Sequence, residues 1–68
     1  MKAVSGKALA RALERKGWRL QRMTGSHHIY SKEGHVARIS VPIHGNQPLK
    51  MGLVRHLMKV AEIAEEDL

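Results

Sequence analysis

The sequence predicts an α+β protein with the element order α-β-β-β-α, a three-stranded antiparallel sheet with two helices on one face. Apolar residues recur at helical spacing near both ends of the chain, and short strand-like runs separated by glycine turns occupy the middle. The length of 68 residues leaves room for only one thin core. We therefore expect a single domain, residues 1–68.

The first helix is predicted over residues 6–16. Ser5 is a suitable N-cap, and Val4 and Leu9 occupy the two positions of a hydrophobic staple around it. Gly17 stands where a glycine commonly ends a helix.

Three short strands are predicted to follow as an antiparallel meander. The strand-like runs are WRLQRM, HHIYSK and HVARISV, at residues 18–23, 27–32 and 35–41. The turns TGS and EG separate them. Pro42 ends the third strand because proline has no amide hydrogen to donate to a neighbouring strand.

The second helix is predicted to begin within residues 48–52. The residues expected on its buried face are Val54, Leu57, Met58 and Ala61. The last seven residues, EIAEEDL, predict a short final turn that packs Ile63 and Leu68 against the core.

Charge favours a polyanionic partner. The chain has 12 Lys and Arg against 6 Asp and Glu, a net charge of +6, and four of the six acids lie in the last seven residues. Neutralising phosphates releases condensed counterions, so nucleic acid is the expected ligand, with an acidic protein as an alternative. The same composition is also compatible with a basic, solvated surface that binds no ligand.

Composition also limits the location and the chemistry. The chain has no Cys, which excludes disulfides and thiolate zinc sites. Its apolar runs are far shorter than the roughly 20 residues of a membrane span, and the N-terminus lacks the apolar block of a secretion signal. We expect a cytoplasmic protein.

Three motifs taken together resemble the HicA family of bacterial toxins. They are GSHHIY after the first strand, VPIH at the end of the third, and LKMGLVRHLMKVAEIAEEDL after it. The resemblance implies a fold like that of double-stranded-RNA-binding domains, which share the order α-β-β-β-α. It also implies an mRNA-cleaving endoribonuclease (an mRNA interferase), neutralised by a HicB-type antitoxin, with His27 of the Gly-x-His turn as the catalytic residue.

The residues themselves leave His27 and His28 open as candidates. If Ile29 faces the helices, alternation along the strand puts His27 on the same side, whereas His28 and Tyr30 fall on the open face. Alternation alone therefore favours His28 as the exposed residue that contacts RNA. His27, however, is the first residue of the strand, where the preceding turn can leave its ring accessible.

Two further residues are predicted to assist at the same end of the sheet. The second strand of a meander starts where the third strand ends, so His44 can approach His27 as a second acid or base, or bind phosphate. A local hydrogen bond is its alternative role. Lys50, at the start of the second helix, is a candidate to stabilise the leaving group. His35 and His56 are expected at the surface.

The remaining expected RNA contacts are basic or polar side chains on the first helix and the sheet. They are Lys7, Arg11, Arg15, Ser26, Tyr30 and Arg38. The first three recur every four residues, which is equally typical of a solvated helix face. Tyr30 is expected either to stack on a base or to pack beside Arg38.

No metal or cofactor is expected. Two-metal nucleases hold their ions with clustered carboxylates, and before residue 62 the chain has only Glu14 and Glu33, neither near His27. Without a metal-activated water, an imidazole is suited to RNA, whose 2′-hydroxyl is a built-in nucleophile. Two alternatives remain: a non-catalytic basic RNA-binding module of the same fold, and a domain that binds only an acidic protein.

Overall fold

The computed structural model describes residues 2–68. The elements in order are α1 (Gly6–Arg15), β1 (Arg19–Thr24), β2 (His27–Ser31), β3 (Ile39–Pro42), α2 (Met51–Ala61) and a 3-10 turn (Glu65–Asp67). The three strands form one antiparallel sheet in the order β1-β2-β3. The predicted α+β class and the order α-β-β-β-α are confirmed, and they are compatible with a fold like that of double-stranded-RNA-binding domains.

Local signals define α1 as predicted. The Ser5 Oγ accepts a hydrogen bond from the amide of Ala8 at 3.1 Å, which satisfies one of the free donors of the first turn. Gly17 follows the helix with a φ of +94°, a conformation that favours glycine.

The core lies between the two helices and one face of the sheet. Its largest fully buried side chains are Trp18, Tyr30, Leu9, Leu13, Ile39, Val41 and Val54. All four residues predicted on the inner face of α2 are buried, Ile63 is buried after it, and Leu68 packs against the core. No helix within residues 2–68 is long and apolar enough to cross a membrane.

The predicted orientation of β2 is wrong. Tyr30 lies directly opposite Ile39, and directly opposed residues of an antiparallel pair share a face. Since Ile39 is buried under the helices, Tyr30 and His28 also point toward the helices. His27 and Ile29 therefore lie on the open face of the sheet.

Tyr30 takes the core position because it fills more of a small core than Ile29 does and keeps a partner for its hydroxyl. The residue is only 1% exposed, and its Oη donates a hydrogen bond to Oε2 of Glu14 on α1 at 2.9 Å. Burial, and then the Glu14 carboxylate, raise the pKa of Tyr30 to about 12, so the phenol stays protonated at neutral pH. The expectation that Tyr30 stacks on an RNA base is wrong, because its ring is enclosed.

The third strand begins at Ile39, later than predicted, because His35 makes contacts outside the sheet. Its ring lies 5.3 Å from that of Trp18 between centroids, and its Nε2 is 2.8 Å from Oε1 of Glu62 after α2. These contacts draw the chain away from the sheet, so residues 36–38 form an exposed loop. His35 lies at the surface, as expected, but these contacts bury part of its side chain.

The helix α1 approaches the end of β3 very closely at Gly6. A side chain built at this buried position would overlap the carbonyl oxygen of Pro42 and lie 2.9 Å from Cγ1 of Ile43. The space beside Gly6 is therefore closed by backbone, which cannot move as a flexible side chain would.

We expect Gly6→Ala to destabilise the protein by about 1–3 kcal/mol, because the added methyl group forces α1 away from β3. Gly52→Ala is the matched control, since a Cβ at this position of α2 meets no atom within 4 Å. The control should stabilise by up to about 1 kcal/mol, because alanine favours the helix. Urea denaturation followed by circular dichroism measures both. Equal effects of the two substitutions would contradict the close contact at Gly6.

Candidate active site

The start of β2 and the end of β3 meet at one end of the sheet, which we call the rim (residues 24–27 and 42–44). His27 lies opposite Pro42, and the amide of Ile43 donates to the carbonyl oxygen of Ser26 at 2.8 Å. The Ser26 Oγ is 3.3 Å from Nε2 of His44. One hydroxyl and two imidazoles, those of Ser26, His27 and His44, thus lie at the same end of the sheet, with the hydroxyl of Ser26 beside the imidazole of His44.

A two-residue turn positions His27. Thr24 pairs with His27, so Gly25 and Ser26 alone connect β1 to β2. Gly25 has a φ of +59°, as the first turn residue of tight hairpins often requires. The turn therefore fixes His27 as the first residue of β2, on the open face.

The two adjacent histidines have different surroundings. His27 is exposed on the open face, whereas His28 lies on the helix side opposite Val41 and is partly buried. The prediction that His28 is the more exposed of the two histidines is wrong, because β2 has the opposite orientation to the one expected. The accessible imidazole at the start of the strand is that of His27.

The first turn of α1 and the start of α2 lie close to the rim. Gly6 contacts Pro42, so the exposed Lys7 beside it is at this end of the molecule. The amide of Leu49 donates to the carbonyl of Val4 at 2.8 Å, which ties the segment before α2 to the segment before α1. Lys50, the exposed N-cap of α2, follows directly.

Other predicted contact residues lie away from the rim. Arg15 is at the opposite end of α1, where its Nη2 donates to the carbonyl of Asp67 at 2.5 Å. The neighbouring Lys16 is 3.6 Å from the Asp67 carboxylate. Arg11 is exposed midway along α1, and Arg38 is in the exposed loop before β3, at the far end of the sheet.

Two arginines on the open face were missed by sequence reasoning. Arg19 and Arg22 lie on β1, every residue of which is exposed. The register between β1 and β2 shifts between Leu20 and Arg22, which is a β-bulge. A signal for it is present in WRLQRM, because the apolar residues Trp18 and Leu20 are two apart whereas Met23 comes three later.

The side chains at the rim are suited to acid–base chemistry on a phosphate. An exposed imidazole, a second imidazole and a hydroxyl lie at one edge of a surface with lysines nearby. No group of three His, Asp or Glu side chains within residues 2–68 is placed to hold a metal ion.

Comparison with known proteins identifies the family. A family model described as "HicA toxin of bacterial toxin-antitoxin" matches residues 6–63, a range that contains both helices, all three strands and the rim. No curated protein matches the chain. The resemblance drawn from the three motifs is confirmed: the chain belongs to the HicA family of toxins of bacterial toxin–antitoxin systems.

Proposed function

We propose that this toxin is a metal-independent endoribonuclease that cleaves mRNA in the bacterial cytoplasm and that His27 is its catalytic residue. The proposal rests on the placement of His27. Its imidazole is exposed on the open face, at the first residue of β2, and a two-residue turn fixes it there.

The proposed reaction uses the nucleophile that RNA supplies. His27 removes the proton of the 2′-hydroxyl, and the 2′-oxygen then attacks the adjacent phosphorus. The bond from phosphorus to the 5′-oxygen breaks, and that oxygen takes up a proton as it leaves. The products are a 2′,3′-cyclic phosphate and a 5′-hydroxyl. Imidazole, whose ordinary pKa is about 6.5, is a chemical group suited to such proton transfer near neutrality.

Other rim residues are assigned supporting roles. His44 shares the rim with His27, and we propose that it donates the proton to the leaving oxygen or binds the phosphate. Lys7 and Lys50 supply positive charge from the adjacent ends of α1 and α2. Ser26 contacts the RNA beside His27, and His28 serves at most as an auxiliary group because it is partly buried on the helix side.

We expect His27→Ala to lower the rate of RNA cleavage by about 10²–10⁴-fold, the range for loss of one general acid–base group. His56→Ala is the matched control, because His56 is an exposed histidine on α2. Cleavage of a labelled RNA in EDTA measures both variants, and melting curves check that both remain folded.

Full activity of His27→Ala would contradict the assignment. Activity that disappears in EDTA and returns with magnesium would contradict the metal-independent reaction. RNA binding without any cleavage by the wild type would instead support the non-catalytic RNA-binding module.

A HicB-type antitoxin is the proposed protein partner, and its contact surface is expected to be acidic. Next to the rim, the first turn of α1 presents the exposed Lys7 and the N-cap of α2 presents the exposed Lys50, without an ion pair to either lysine among the described residues. An acidic protein that covers this surface would hide His27 and exclude RNA in the same step. Charge complementarity of this kind chiefly increases the association rate.

We expect the association rate with the antitoxin to fall by about tenfold or more between low and physiological salt, because salt screens the attraction. Lys7→Gln should lower the rate at low salt. Arg15→Gln is the control, because it removes the same charge at the other end of α1. Stopped-flow fluorescence of Trp18 or of a labelled antitoxin measures the rates. A rate that does not depend on salt would contradict electrostatic recognition.

A further inference from the structure

The β-bulge in β1 changes which face of the sheet Arg22 occupies. Leu20 lies opposite Tyr30 and so belongs to the helix side. Uninterrupted alternation would put Arg22, two residues later, on that same side. Because Gln21 is an extra residue in the ladder, Arg22 instead lies opposite Ile29 and points to the open face.

The bulge therefore puts Arg22 on the same face as His27. Its partner Ile29 is two residues along β2 from His27, which makes Arg22 and His27 diagonal neighbours. Such neighbours are about 7–8 Å apart in an antiparallel pair, within reach of a long side chain. Arg19, opposite Ser31, continues the row on the same face toward the far end of the sheet.

The charge on this face is not neutralised. Among residues 2–68, neither Arg19 nor Arg22 has a carboxylate within 4.0 Å. Three acidic side chains contact other residues: Glu14 contacts Tyr30, Glu62 contacts His35, and Asp67 lies beside Lys16. The other three lie outside the sheet, Glu65 and Glu66 in the 3-10 turn and Glu33 in the loop before β3. By contrast, the row of basic residues on α1 ends at Arg15, whose guanidinium donates to the carbonyl oxygen of Asp67.

We infer that the open face of the sheet binds the backbone of the RNA strand that is cleaved at His27, with its phosphates held by Arg22 and then by Arg19. The inference rests on the proposed function. The contacts are to phosphates rather than to stacked bases, because the only Trp and Tyr of the chain are buried and Phe is absent. This route differs from one along the helix layer, which Arg11 and the outer face of α2 would line.

Two double variants distinguish the sheet route from the helix route. Arg19→Gln/Arg22→Gln and Arg11→Gln/Arg55→Gln each remove two exposed guanidiniums and lower the net charge equally. The RNA is a labelled single strand with 2′-methoxy groups throughout, which cannot be cleaved by the proposed reaction. Binding to the full chain is measured by fluorescence anisotropy at several salt concentrations, and melting curves confirm the fold.

We expect the sheet-face variant to lose at least about tenfold in affinity and the helix-layer variant much less. The dependence of log K on log salt should become shallower by about 1.4 for the sheet-face variant, because each phosphate contact on a single strand contributes about 0.7. Cleavage of a long RNA at concentrations below its KM should fall in the sheet-face variant more than in the helix-layer variant.

Equal losses in the two variants, or a larger loss in the helix-layer variant, would overturn the sheet route. If the wild type cleaves RNA through His27 and the sheet-face variant binds like the wild type, the inference fails and the proposed function stands. If the wild type neither binds nor cleaves RNA, both fail.

Discussion

The contact of α1 with the end of β3 at Gly6 is the constraint on which the rim depends. Because no side chain separates the helix from Pro42 and Ile43, the end of β3 is fixed against α1. The amide of Ile43 in turn binds the carbonyl of Ser26, so the turn before His27 is fixed as well. A glycine on a helix thus determines where an imidazole on the opposite face of the sheet is held.

Most of the fold follows from local signals, and the errors come from long-range contacts. The cap at Ser5 and the apolar spacing in α2 predict both helices, because the residues that define them are close in sequence. The start of β3 is different, since it depends on the contact of His35 with Trp18 and Glu62. No pattern near His35 indicates that contact.

The candidate site was predictable in its position but not in its orientation. A meander requires His27 and His44 to share one end of the sheet, and they do. Ile29 and Tyr30 are adjacent apolar residues, so alternation alone does not decide which one is buried. The hydrogen bond from Tyr30 to Glu14 favours burial of Tyr30, and it joins residues 16 positions apart. The face of Arg22 depends on the bulge in β1, whose local signal is the three-residue step from Leu20 to Met23, and uninterrupted alternation does not predict it.

The chemical identity of the RNA ends is the most direct test of a reaction through the 2′-hydroxyl, because it reports the bond changes themselves. Mass spectrometry of the fragments from purified wild-type protein measures it. An exposed imidazole that activates the 2′-hydroxyl predicts a 2′,3′-cyclic phosphate, or its hydrolysed form, on the upstream fragment and a 5′-hydroxyl on the downstream fragment. Fragments with a 3′-hydroxyl and a 5′-phosphate would rule out attack by the 2′-hydroxyl, because they require water as the nucleophile.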